Sequence, residues 1–382
     1  MFYYLSFLRP PPQQWGSLSA PITITPQLAN DLRTELLDGT CEIYYSWCQS
    51  NSICAAGLPN IPKARKLTTW REGSAYKEIL VPLPQGLREG TSYSLVLTVH
   101  DQGFPHIINL AGPSCGVRPL PVISQPILFS SRSSGQSAGK QEQIRRIYRV
   151  PTAPGNQVYL RVTEQTSFDL DKKIWDSGIG LSCWLTDLAT SSKSESGLQQ
   201  LENRLLNSSS LNIIELGAGT GIVALTLGAL LSAKRVSNHD GCIITTDLAS
   251  AMPLLEHNIA QNAHLFTSPS MQPRAIVLDW DENIPPEVSA VKGGFDFIIM
   301  ADVTYNTASF PMLVRTLKDL VGLRETEPPL IIMGYKERDP AERTLWEMAR
   351  GVGIDFRRIG ERVGAGGAPI EIWLGHIQAA TK

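Results

Sequence analysis

The stretch Ile213–Leu231, IIELGAGTGIVALTLGALL, runs from a β-branched segment through three alternating glycines into a long aliphatic segment. It reads as a buried strand, a tight turn over Gly217, Gly219 and Gly221, and a helix. Such turns hold a ligand against the helix N-terminus. A phosphate loop needs a Lys-Ser/Thr pair after the glycines, and here the turn runs directly into Ile222. A dinucleotide fingerprint needs glycine at 222 and an apolar lead-in, and Ile222 and Glu215 depart from both. The remaining reading is an adenosine ligand with a charged amino-acid part and no phosphate. Glu215 could then meet its ammonium, and the glycines let the backbone approach it closely.

Downstream, short aliphatic strands alternate with helical stretches. NIIELG, CIITTDL, RAIVLDW, FDFIIMADV and LIIMGY are separated by segments such as MPLLEHNIAQNA and FPMLVRTLKDLVG. This pattern predicts a mostly parallel sheet covered on both faces, with ligands at the C-terminal strand ends. Asp247 ends the second strand, where it can accept from a ribose hydroxyl pair. Asp279 and Trp280 end the third, where a carboxylate can meet an adenine amino group and an indole can pack on its face.

ELGAGTG, TTDL, LDW and ADVTY, in this order, resemble the seven-stranded S-adenosylmethionine-dependent methyltransferases. More narrowly they resemble the methyltransferase family 16 group of protein-lysine methyltransferases. Trp175-Asp176-Ser177-Gly178 resembles that group's segment ahead of the glycine turn, and Asp302-Val303-Thr304-Tyr305 its D-x-x-Y motif. The resemblance spans about residues 158–377 and implies a fungal-type member with an N-terminal extension. It implies a class I, Rossmann-like α/β fold and S-adenosyl-L-methionine as cofactor. It further implies cofactor contacts at Trp175, Gly217, Ala218, Gly219, Asp247, Trp280 and Ala301. The residue reading adds Glu215, Gly221 and Asp279. Asp302 is expected to bind or orient the acceptor amine, unless it merely caps the helix that follows, and Tyr305 to wall the lysine channel. Roles for Tyr335 and Lys336 in MGYKERDPAE stay open. DVTY lacks the two prolines of loops that methylate planar amines, which counts against nucleobase or glutamine acceptors. A small-molecule acceptor, an NAD-dependent oxidoreductase and a non-catalytic module stay open as alternatives.

The 382 residues suggest two domains. Residues 1–130 are rich in proline and β-formers and predict a small β-rich accessory domain that either recruits substrate or covers an apolar face. Residues 131–150 contain the Ser/Gly-rich SSRSSGQSAGK and predict a flexible linker, leaving 151–382 as the catalytic domain. A formal net charge of −2 gives no case for nucleic acid. Arg132, Lys140, Arg145, Arg146, Arg149 and Arg161 form either a local basic patch or part of a solvated linker. Six cysteines without a C-x-x-C pair fit reduced thiols in the cytosol or nucleus, with neither disulfide framework nor zinc site. No apolar run reaches the ~20 residues of a membrane span. The expected protein is a monomer acting on a protein substrate.

Overall fold

The computed structural model describes residues 1–50, 58–131, 139–153, 155–167, 169–191, 197–208, 210–234, 240–324 and 326–378. Its C-terminal part is built on a seven-stranded sheet. The strands are β1 (Ser210–Leu216), β2 (Asp240–Asp247), β3 (Arg274–Val277), β4 (Phe297–Ala301), β5 (Leu330–Lys336), β6 (Ile354–Arg362) and β7 (Ile370–Ile377). They lie in the order β3-β2-β1-β4-β5-β7-β6. All pairs from β3 to β5 are parallel, and β7 runs antiparallel between β5 and β6. Order reverses between β1 and β4, where strand ends part and leave a crevice.

Helices cover the sheet because its strands are apolar on both faces. Two of them, α1 (Asp176–Thr190) and α3 (Ile222–Lys234), belong to a hydrophobic cluster that also holds Ile213, Ile299 and Ile332 of the sheet. The opposite cluster includes Ile214, Ile298 and Ile331, with Leu313 and Leu317 of α6 (Phe310–Gly322). Adjacent residues of one strand thus enter opposite cores. In α3 every residue from Ile222 to Ser232 is buried. It is apolar all round because it is covered all round.

Among the described residues, the N-terminal part forms a three-stranded and a nine-stranded sheet. Its strands include Tyr4–Arg9, Thr40–Gln49 and Thr91–Thr98, in keeping with the β-rich composition of residues 1–130. The domain boundary differs from expectation. The Ser/Gly-rich residues 132–138 lie outside the described residues, but residues 143–150, expected as linker, are structured. They open a long antiparallel hairpin, Gln143–Ala153 with Asn156–Gln165, that crosses the expected boundary at 151. The hairpin's Tyr148, Val150, Leu160 and Val162 share one buried cluster with α1 and α3. Linker composition ends at Lys140, and the IRRIYRV run that follows has the apolar alternation of a half-buried strand.

Arg145, Arg146, Arg149 and Arg161 lie in the hairpin strands rather than in a solvated linker, while Lys140 precedes them and is exposed. Arg146 is 2% exposed, pairs with Glu164 at 2.6 Å and donates to the Leu5 carbonyl at 3.0 Å. Arg145 donates to Ser94 Oγ at 3.2 Å and Arg149 to Asn109 Oδ1 at 3.2 Å. Arg132 lies outside the described residues.

The outer strand of the hairpin ends the nine-stranded sheet, and an open edge leaves backbone groups unpaired. Two side-chain amides of α4 (Met252–Asn262) pair with this one. Asn258 Oδ1 accepts from the Thr163 N–H at 2.9 Å, while its Nδ2 donates to the Thr163 and Thr220 carbonyls. Asn262 treats Arg161 in the same way, at 2.9 and 2.8 Å. Asn258→Ala should therefore leave three buried backbone groups without partners. The expected loss is about 2–3 kcal/mol in a denaturant titration, and a loss under about 0.5 kcal/mol would show that the clamp contributes little.

Candidate active site

A cavity of about 280 Å³ opens at the C-terminal ends of β1, β2 and β4. Its floor is the turn after β1. Gly217, Gly219 and Gly221 have φ of +64°, +55° and +78°, a region in which residues with a Cβ are strained. A Cβ on Gly217 would stand 3.0 Å from Val303 and 3.5 Å from the Trp280 ring. Gly221 is a correction to the sequence reading. It does not line the cavity, and a Cβ there would meet Leu255 at 2.5 Å, so this glycine serves the packing of helix on helix.

Two acids stand beside the turn. Glu215 is 3% exposed and accepts from the Thr245 hydroxyl at 2.6 Å. Burial, with Asp247 as a like charge nearby, pushes its carboxyl up to about 8. Asp247 accepts from the Gly219 N–H at 2.6 Å and the Leu248 N–H at 2.7 Å, and burial pushes it up to about 6 despite these bonds. Across the cavity stand Asp279 and Trp280, on the loop after β3 rather than on the strand itself. The Asp281 N–H donates to Asp279, and Arg315 donates to the Trp280 carbonyl at 2.6 Å, which fixes this loop. Ala218, at the floor, and Ala301, at the end of β4, complete the set read from the sequence.

At the mouth, Trp175 stacks on Tyr305 with ring centroids 5.9 Å apart and planes 10° from parallel. Tyr305 is 49% exposed, and the Trp175 indole N–H donates to the Leu170 carbonyl at 2.8 Å. The Arg338 guanidinium lies 4.9 Å from the Trp175 ring centre.

Asp302 lies at the cavity, and its surroundings decide against the helix-cap alternative. It lines the cavity wall with φ of +56°, but its carboxylate is engaged on both oxygens. One accepts from the Ser177 N–H at 2.7 Å and the other from Arg338 at 2.5 Å. It does not cap the following helix, because Asn306 accepts from the Ala308 N–H there. The sequence reading missed Arg338, which sits in the quoted MGYKERDPAE two residues beyond β5. It also missed Leu170, Asp171 and Lys173, which form part of the cavity wall just ahead of α1. The charge of Arg338 beside Asp302 was a signal only the sheet order could expose. Tyr335 is buried and packs edge-on against Trp346, away from the cavity residues. Lys336 pairs with Asp176 at 2.8 Å.

A sheet in this strand order, with a glycine turn after β1 and an acid at the end of β2, defines a class I methyltransferase. The sequence profile of the lysine methyltransferase family matches residues 155–351. The chain belongs to this family, whose methyl donor is S-adenosylmethionine. It is similar to the protein-lysine N-methyltransferase EFM6 of Saccharomyces cerevisiae, with 30% identity over 44% of this chain and 68% of that protein. Similarity to the mouse protein N-lysine methyltransferase METTL21A is 32%, over 38% of this chain and 54% of that one. Similarity to the EEF1A lysine methyltransferase 3 of Xenopus tropicalis is 30%, over 32% and 46%. The chain thus spans about half the length of the mouse and frog proteins. Among solved structures, magnesium protoporphyrin IX methyltransferase from Synechocystis PCC 6803 matches with TM-score 0.32 and 14% identity, over 47% of this chain and 74% of that one.

The glycine turn and the buried acid beside it can each be tested. Gly217→Val should abolish binding of S-adenosylmethionine in calorimetry, whereas Gly221→Val should mainly lower the melting temperature; undiminished affinity in the first would sink the assignment of this turn. Glu215 titrates near 4.5 when unfolded and near 8 in the free folded chain, so the native state holds the extra proton between those values. Its contribution to stability is full below about pH 4.5 and is lost as pH rises through 8. Glu215→Gln should then flatten the fall in melting temperature from pH 5 to 8, and a slope identical to the wild type's would contradict the assignment.

Proposed function

We propose that the chain transfers the methyl group of S-adenosylmethionine to a lysine side chain of a protein. The observation that carries this reading is the charge of the cavity. Glu215, Asp247, Asp171, Asp279, Asp281 and Asp302 line it, with Lys173 as the one lysine in the wall among the described residues. Such a wall suits a ligand bearing sulfonium and ammonium charges and disfavours the pyrophosphate of a dinucleotide. A buried carboxyl held protonated by desolvation, as Glu215 is, becomes favourable as an anion once an ammonium faces it.

When bound, the cofactor supplies a methyl group on a cationic sulfur, open to in-line displacement by an amine. Glu215 is assigned to its ammonium, Asp247 to its ribose hydroxyls, and Asp279 with Trp280 to its adenine. Ala218 and Gly219 offer backbone at close range. A lysine ammonium has no lone pair, and its ordinary pKa is about 10.4. The acceptor channel must therefore favour the neutral amine. Desolvation beside the stacked Trp175 and Tyr305 rings does this, and alignment of the amine with the methyl carbon supplies the rest of the rate. With its carboxylate occupied, Asp302 contributes by fixing the backbone of the channel wall rather than by taking the proton.

The five described cysteines are free and scattered, which supports a reducing compartment, the cytosol or the nucleus. Imaging of the tagged full chain checks this.

Labelled cofactor incubated with the purified chain and a cell lysate should mark a protein, with mass spectrometry placing the methyl on a lysine side chain. Methyl on arginine, histidine or a small molecule would discard the lysine reading. Trp280→Ala should weaken the cofactor by about 0.5–1.5 kcal/mol. A collapse in melting temperature with unchanged affinity would make Trp280 a packing residue instead.

A further inference from the structure

The acceptor mouth is held from outside the family-matched segment. Asp31 lies in the N-terminal part, two residues past the strand Ile22–Ala29, and its side chain has no exposure. One carboxylate oxygen accepts from Arg338 at 2.7 Å and from the Asp176 N–H, the first of α1, at 3.2 Å. The other accepts from Lys336 at 3.2 Å. Arg338 is bidentate in effect. One terminal nitrogen meets Asp31, the other meets Asp302, and the guanidinium face lies on Trp175. Trp175 in turn stacks on the exposed Tyr305. The chain of contacts Asp31–Arg338–Trp175–Tyr305 therefore runs unbroken from the β-rich part to the mouth.

We infer that Asp31 is a positioning residue for methyl transfer: it holds the Arg338 guanidinium over the Trp175 ring and so sets the wall that admits the acceptor lysine. The inference rests on the lysine-transfer reading above. Physically, Arg338 needs two anions to stay in place. With Asp302 alone it keeps bonds from one terminal nitrogen only, to Asp302 and the Lys336 carbonyl, and the freed end of the fork rotates toward solvent at the mouth. There it would leave the Trp175 ring without its backing and add an unneutralised cation where a cationic side chain must enter. The cofactor end of the cavity, formed by Glu215, Gly217 and Asp247, has no contact with Asp31 and should not respond. Lysine cannot replace Arg338, because an ammonium lacks the planar fork that serves two carboxylates and an aromatic face together.

The test uses the full chain as wild type, Asp31→Asn, Arg338→Lys and Asp187→Asn. The last removes the charge of Asp187, which pairs with Arg362 at 2.6 Å and accepts from the Gly112 N–H of the N-terminal part at 2.8 Å, in the last turn of α1 and so at the other end of that helix from Asp176. Binding is read with S-adenosylhomocysteine, and transfer with labelled S-adenosylmethionine at saturation and lysate protein as acceptor. Asp31→Asn and Arg338→Lys should each lower the transfer rate at least tenfold while the S-adenosylhomocysteine dissociation constant changes less than twofold. Asp187→Asn should keep wild-type transfer at a comparable loss of melting temperature. An active wild type with unimpaired Asp31→Asn overturns the inference and leaves the lysine reading standing. Parallel loss of binding and transfer, or equal loss in Asp187→Asn, reduces Asp31 to a structural residue and also overturns it. A wild type that labels no protein removes the lysine reading itself. Should Asp31→Asn fail to fold, Arg338→Lys alone separates the same outcomes.

Discussion

The first turn of α1 begins inside the protein, and that constraint organises much of what surrounds it. A helix start leaves backbone N–H groups without intrahelical partners, and α1 has no capping side chain of its own. The Asp176 N–H is met by Asp31 and the Ser177 N–H by Asp302, two carboxylates from opposite ends of the chain order. Anions suit this end of a helix electrostatically as well. Buried anions are costly unless paired and fully hydrogen-bonded, and Lys336 and Arg338 at the end of β5 answer them. Asp176 adds a third carboxylate to the cluster. It accepts from the Tyr4 hydroxyl at 2.8 Å and the Phe2 N–H at 3.0 Å, and burial together with Asp31 pushes it up to about 6.

The left-handed backbone of Asp302 belongs to the same arrangement. A non-glycine residue at positive φ stores strain that its surroundings must hold in place. Here the Ser177 N–H and Arg338 hold the side chain, while the Asp302 N–H donates to the Gly334 carbonyl of β5 at 3.1 Å. The turn that presents Tyr305 at the mouth is thereby tied to the sheet, to α1 and to the cation beyond β5. In this chain the D-x-x-Y segment thus joins an aspartate bonded on both oxygens to an exposed tyrosine.

The parallel sheet, the glycine turn and the acids at strand ends were legible because their signals are local. An apolar run followed by glycines, or by an aspartate, carries its meaning within a few residues. The residues that line the cavity at the strand ends were legible for the same reason, apart from Gly221, which does not line it and whose contact with Leu255 belongs to packing between helices. What sequence could not reveal was pairing across long separations. Nothing near Asp31 announces Arg338, 307 residues away, nor does Asp302 announce that its oxygens are already taken. The hairpin was misplaced for a related reason. Low-complexity residues before it suggested a boundary, whereas the apolar face of Tyr148 and Val150 finds its partners only in the folded α1 and α3.

The amide clamp on the hairpin sets an order of events for a chain made from its N-terminus. The strand Asn156–Gln165 is complete about 90 residues before α4 offers Asn258 and Asn262, so its outer edge must wait unpaired. Asp31 waits longer still, until β5 brings Lys336 and Arg338. Closing such distant contacts is entropically slow, and an exposed strand edge invites pairing with other chains in the meantime. The nascent N-terminal half thus presents an open strand edge and an uncovered apolar face until α3 and α4 have been made and packed against it.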